Sequence, residues 1–235
     1  MSSVTLVVFL FAWFVGSPAL GQMAHVSGTV TAQPRLQPKG GRPDGLYDDR
    51  GIRYARFFDY KHLKNVVVYA EPLASSASAS SPLQNLSFPV RIERSGSSPK
   101  IHPGFLAIPL GSTVSFKNQT SHPLTLFAGS DSADSFTLRL DPENEKPVVF
   151  NTVGLCRLFL LENPLTRSDL FVAGSYVGLV DEQGHYALEL PAGRYKVTVW
   201  HERLPSQSEE IELKEGEARP LDFSLLVLGQ LPEIK

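Results

Sequence analysis

Short runs in which apolar and polar residues alternate one for one recur along this chain, and a period of two is that of half-buried β-strands. Val26 and Val30 share one face of Ala24 to Thr31, with Gly28 between them. Leu86, Phe88, Val90 and Ile92 alternate strictly, and Pro89 within that run predicts an edge strand, because proline cannot donate to a ladder. Phe105 to Leu110 and Thr113 to Lys117 read as two strands joined across Gly111-Ser112, followed by Leu124 to Phe127, Phe136 to Leu140 and Val148 to Leu161. Asn65 to Ala70 (NVVVYA) is instead continuously apolar and β-branched, which predicts a central strand. From Asp169 onward the pattern predicts consecutive hairpins. Asp181 to Gly184 turns, Tyr186, Leu188 and Leu190 alternate, Pro191 to Gly193 turns, and Tyr195, Val197 and Val199 alternate again. Ile211 and Leu213 form a further strand, and Leu221 to Leu228 closes the sheet. So many short strands with turn signals between them predict an all-β sandwich or barrel.

Composition narrows this picture. A chain of 235 residues has room for one large or two small domains. Its formal net charge of -2 gives no overall electrostatic reason to bind nucleic acid or an anionic membrane. Tyr54, Phe57, Phe58 and Tyr60 interleave with Arg53, Arg56 and Lys61, a mixture that can stack on bases, but Asp48, Asp49 and Asp59 dilute it and a packed connection is expected. Residues 33–49 and the Ala/Ser run 74–81 read as loops. A single cysteine, Cys156, excludes an internal disulfide.

Val4 to Val15 is almost wholly apolar and is followed by Gly16, Ser17 and Pro18, with Ala19 and Gly21 suiting cleavage after residue 21. The run is shorter than the about 20 residues needed to span a bilayer. Residues 1–21 are therefore expected to be a signal peptide of an exported, periplasmic protein with no membrane span beyond that segment. An uncleaved anchor is the alternative, since the segment carries no Lys or Arg.

The stretch VDEQGHYALELPAGRYKVTVWHE resembles the carboxypeptidase regulatory-like β-sandwich, and GSTVSFKN, His122 and VGLC precede it in order. Together they resemble cupredoxin-domain proteins of the methylamine utilisation, plastocyanin-like type, over residues 65–227. The resemblance implies an exported cupredoxin-like sandwich followed by a smaller carboxypeptidase regulatory-like module. The expected boundaries are 22–64 for an N-terminal strand and irregular segment, 65–172 for the cupredoxin-like domain and 173–229 for the module.

The resemblance also implies a type 1 copper site, which needs two imidazoles and a thiolate with a weak axial methionine. His122, after Phe116-Lys117-Asn118, and Cys156, after Gly154, stand at two of the family's ligand positions. The residues after Cys156 are Arg157, Leu158, Phe159, Leu160, Leu161 and Glu162, so the second imidazole and the methionine are missing and the next histidine is His185. His102, His201 and Glu162 are the other donors that could complete a site. Without one, Cys156 is a small buried hydrophobe and His122 a loop histidine.

Other chemistry finds little support. There is no GxSxG, GxGxxG, P-loop, HExxH or CxxC. Residues 129–135 lack the spaced carboxylates of a calcium loop. Asn85 and Asn118 begin glycosylation sequons. Trp200 beside His201 could contact a sugar or a protein partner if exposed, or close the sandwich if buried. The expected function is non-enzymatic: a binding or structural role in the periplasm with an incomplete copper site. The alternatives are copper-dependent electron transfer through His122 and Cys156, and glycan or protein-partner binding through Trp200.

Overall fold

The computed structural model describes residues 22–33, 63–73, 86–96, 98–129 and 135–226, and every regular element among them is a strand. In chain order these are β1 (Ala24–Gln33), β2 (Val67–Pro72), β3 (Ser87–Ser95), β4 (Ser98–His102), β5 (Phe105–Pro109), β6 (Thr113–Asn118), β7 (Leu124–Gly129), β8 (Phe136–Leu140) and β9 (Glu145–Val149). There follow β10 (Gly154–Leu160), β11 (Asn163–Ala173), β12 (Tyr176–Leu179), β13 (His185–Leu190), β14 (Gly193–His201), β15 (Leu204–Leu213), β16 (Ala218–Pro220) and β17 (Phe223–Leu226). The signal segment, the aromatic and basic stretch, the Ala/Ser run and the Asn85 sequon lie outside the described residues, as does most of 129–135.

Strands β3 to β11 make one sandwich. Its sheets run β4-β3-β6-β9 and β5-β11-β10-β7-β8. Between them lie Val90, Ile92, Phe116, Leu126, Leu140, Phe150, Leu158 and Leu170, all essentially without solvent contact. The alternation read from the sequence is the cause: Val114, Phe116 and Asn118 of β6 point inward while Thr113, Ser115 and Lys117 do not. Gly111, at φ 81°, sits in the corner where the chain leaves β5 for β6 in the opposite sheet.

The remaining strands make a second sandwich from sheets β13-β1-β16, with β17 also on β1, and β12-β2-β14-β15. Its core holds Val26, Val68, Ala70, Tyr186, Leu190, Val197 and Leu225. The Tyr186 hydroxyl donates to the Leu221 carbonyl at 2.6 Å, and burial pushes its pKa well above the ordinary value. That carbonyl lies against Gly28, where a Cβ would stand 1.8 Å from its oxygen. A glycine is required there by close approach, not by backbone angle.

Three expectations change. The domain boundaries at 65 and 173 do not follow the sheets: β1 and β2 pair with β13 and β14 of the C-terminal unit, so the first sandwich interrupts the second between β2 and β12. The sequence displays strand periodicity but not strand partners, so a boundary at residue 65 groups β2 with its chain neighbours. Next, β12, β13 and β14 are not successive hairpins. β13 pairs with β1 while β12 and β14 pair with β2, so both turns cross between sheets. Last, Pro89 is not on an edge strand, because β3 lies between β4 and β6. The carbonyls of Leu86 and Ile92 accept from Thr113 and Gln119 on the β6 side, at 2.9 Å each, so even-numbered residues bond that way. The missing N–H of Pro89 points to the other side, where β4 pairs only with Arg91 to Ser95. The Asp181 turn is as expected: Gly184 has φ 90° and Asp181 Oδ1 accepts from the amides of Gln183 and His185, at 2.9 and 2.8 Å.

The two sandwiches pack against each other through the outer faces of the β5-β11-β10-β7-β8 and β12-β2-β14-β15 sheets. Val67, Phe171 and Ala173 are buried there, joined by Tyr69, Phe105, Leu155, Val177 and Trp200. This explains the continuous apolar run of β2: Val68 and Ala70 face the second core while Val67 and Tyr69 face the other sandwich. β11 does the same, with Leu170 and Val172 inside and Phe171 and Ala173 outside. Beside this layer Arg157 of β10 is ion-paired with Glu202 of the β14–β15 turn at 2.5 Å. Asp169, opposite Arg157 in the ladder, is buried, and its Oδ1 has no hydrogen bond among the described residues. Burial raises its pKa, against the pull of Arg167.

Candidate functional site

The question the sequence poses is whether His122 and Cys156 can share one ion. The register of β7 and β10 answers it. These strands are antiparallel, with Leu126 opposite Leu160 and Gly129 opposite Arg157. Cys156 therefore lies just past the C-terminal end of β7. His122 lies before its N-terminal end, where Leu161 N–H donates to the Thr125 carbonyl at 3.0 Å. From Cys156 to the level of Leu124 is about 20 Å at about 3.3 Å per residue, and His122 is two residues further on. Donors to one metal sit about 2.0–2.3 Å from it. Cys156 and His122 do not fit a common copper ion.

Each residue has a separate structural role. Cys156 is fully buried in β10, opposite Leu170, in the core of the first sandwich. His122 is exposed in the β6–β7 connection, its Nδ1 3.0 Å from Ser121 Oγ. Its carbonyl fixes that connection: it accepts from Asn118 Nδ2 at 2.9 Å and Thr120 Oγ1 at 3.0 Å. Asn118 is itself buried, donates also to the Leu140 carbonyl at 3.0 Å, and accepts at Oδ1 from the amide and hydroxyl of Thr120 at 2.9 and 2.7 Å. Its amide group is thus spent on holding the loop, and the Asn118 side chain, the acceptor of the sequon, is not presented to solvent.

The other donors do not complete a site. At the end of β10 nearest His122 stand Leu160, buried, and Leu161, exposed. Glu162 follows, but its carboxylate is bound to the Thr125 amide at 2.8 and 2.9 Å. Partial burial works against ionisation of Glu162, yet the backbone hydrogen bonds and Arg139 hold its pKa below the usual range. His102 ends β4, exposed. His201 ends β14 in the second sandwich, buried, with Nδ1 accepting from the Arg203 amide at 3.2 Å. Burial lowers its pKa, so the ring is held neutral. Among the described residues no three His, Cys, Asp or Glu side chains are grouped closely enough to hold a metal.

Trp200 is half-buried between the sandwiches and stacks on Phe171, ring centroids 3.9 Å apart and planes 16° from parallel. One face of the indole is therefore occupied from within the chain. Of the Trp200–His201 pair expected as a partner or ligand candidate, Trp200 joins the inter-sandwich layer while staying partly exposed, and His201 lies at the β-bulge at Val199/His201. The sequence gives no sign of the Arg157–Glu202 pair, whose members come from different sandwiches.

No protein-family model matches the chain, and no curated protein is similar to it. Among solved structures it is similar to a purple cupredoxin from Nitrosopumilus maritimus, at 20% identity and TM-score 0.32, over 37% of this chain and 99% of that one. It is similar to the copper-containing nitrite reductase from Thermus scotoductus SA-01, at 20% identity and TM-score 0.34, over 44% of this chain and 25% of that one. An oxidised amicyanin variant matches at 18% identity and TM-score 0.33, over 44% of this chain and 98% of that one. The all-β, β-sandwich class expected from the sequence is the one observed, from the strands and sheets themselves.

Proposed function

We propose that this chain is an exported, non-enzymatic binding or structural protein: a cupredoxin-like sandwich without a type 1 copper centre, set into a second, carboxypeptidase regulatory-like sandwich. The observation that carries this reading is the separation of His122 from Cys156 by the length of the β7–β10 ladder. A trigonal copper plane needs a thiolate and imidazoles around one point, and Cys156 lies in an apolar core while the end near His122 offers Leu160 and Leu161. Electron transfer through these two residues is disfavoured for the same reason. Export is inferred from the apolar segment of residues 4–15 and the small residues after it.

The test is metal analysis of protein produced in copper-supplemented medium. The expected result is substoichiometric copper and no intense visible charge-transfer band. One copper per chain with such a band, lost in Cys156→Ser, overturns the proposal.

A further inference from the structure

A groove of 490 Å³ opens between β4 and the first half of β11, on the edge of the first sandwich. β5 covers β11 only from Asp169 to Ala173, so residues 163–168 have no strand paired on that side among the described residues. The β10–β11 ladder also breaks there. Phe159 is opposite Arg167, and Leu160 is opposite Asn163, so Pro164, Leu165 and Thr166 form a bulge. Bulges re-aim side chains, and this one leaves Leu165 93% exposed. The bulge is held in place: Thr166 Oγ1 donates to the Pro99 carbonyl of β4 at 2.9 Å.

The polar lining is one-signed. Lys100, His102 and Arg167 line the groove, and among the described residues no Asp or Glu does. Acids stand close to two of these cations: Glu93 is opposite Lys100 in the β3–β4 pair, and Asp169 Oδ2 is 3.8 Å from Arg167. Arg167 remains largely exposed. Cationic side chains around an opening with an exposed leucine at its rim suit a ligand with an anionic end and an apolar body.

We infer that the groove between β4 and the β11 bulge is a binding site for a small amphipathic anion, a carboxylate or phosphate attached to an alkyl or aryl group. Lys100 and Arg167 meet the anion, His102 adds a hydrogen-bond donor, and Leu165 folds over the apolar part. The site is distinct from the copper question, so its failure leaves the copper-free reading untouched.

Hexanoate, hexyl phosphate, hexanol and inorganic phosphate titrated into the protein, followed by amide NMR shifts, test this. Saturable shifts at Lys100, His102 and residues 165–167 are expected with hexanoate or hexyl phosphate, the tighter of the two identifying the headgroup. Hexanol and inorganic phosphate, each lacking one half of the ligand, are expected to bind at least about tenfold more weakly. Lys100→Gln with Arg167→Gln, both at exposed positions, is expected to weaken the anions by a similar factor while leaving the rest of the amide spectrum in place. No saturable shift with either amphipathic anion, shifts located elsewhere, or equal affinity in the double variant overturns the inference.

Discussion

The indole of Trp200 lies on the ring of Phe171 at 3.9 Å between centroids, and the two residues belong to different sandwiches. Together with Val67, Ala173 and the Arg157–Glu202 pair, this stack makes the two units one body. Trp200→Ala is expected to cost about 2–3 kcal/mol, somewhat below the about 3–5 of a fully buried aromatic. Calorimetry checks the second consequence: one cooperative transition separates into two as the sandwiches uncouple. An unchanged midpoint and shape contradict this role.

Gly28→Ala places a Cβ 1.8 Å from the Leu221 carbonyl oxygen, which already accepts from the Tyr186 hydroxyl. Backbone cannot yield as a side-chain tip can, so the cost is set at the upper end of overpacking, about 3 kcal/mol. For a chain of this size that is a fall in Tm of about 6–12 °C. A fall of a degree or less would show that β1 does not pass this close to Leu221.

Asn118→Ala removes the Nδ2 donor to the His122 and Leu140 carbonyls and the Oδ1 acceptor for the Thr120 amide and hydroxyl. Leaving buried polar groups unpaired costs about 1–3 kcal/mol each, so a loss of about 3 kcal/mol is expected in urea denaturation. Protein made in a glycosylating host is expected to carry no glycan at Asn118. A glycan found there by intact mass and peptide mapping would mean the side chain is free in solution.

His201 gives the chain a pH dependence of definite sign. Burial lowers its folded-state pKa below the ordinary value, about 6.5. Below about pH 6.5 the unfolded chain then binds a proton that the folded chain does not, so stability falls with pH until the folded pKa is reached. The stabilising contribution of the neutral ring is complete above about pH 6.5. His201→Gln is expected to be less stable at neutral pH and to lose part of the decline on acidification. Parallel urea curves for the two proteins at pH values above and below 6.5 check this; an identical pH slope would exclude His201 as its source.

Periodicity made the strands legible, because a period of two is imposed by the pleat wherever one face is buried. Tyr186, Leu188 and Leu190 alternate in the sequence, and all three are buried. Pairing was not legible. β1 and β13 meet across the whole first sandwich, and no local pattern records so distant a partner. The separation of His122 from Cys156 was hidden for a related reason. Gly154 and Cys156 fit a motif in order, but a motif fixes position along the chain and not which end of a strand faces a given loop. The bulge at Pro164 to Thr166 was equally hidden, since its exposed Leu165 sits among polar residues in a segment with no alternation to break.

Whether one ion can reach both His122 and Cys156 decides between a copper protein and a copper-free one. Copper(II) broadens the NMR signals of nuclei close to it and spares distant ones, so stoichiometric copper added to the labelled protein measures this directly. The prediction is that broadening at exposed imidazoles such as His122, where it occurs, leaves the amides of Cys156, Leu158 and Leu170 at full intensity, since about 20 Å of ladder separates the two groups. Simultaneous loss of the His122 and Cys156 signals at one equivalent, reversed by a chelator, would contradict it.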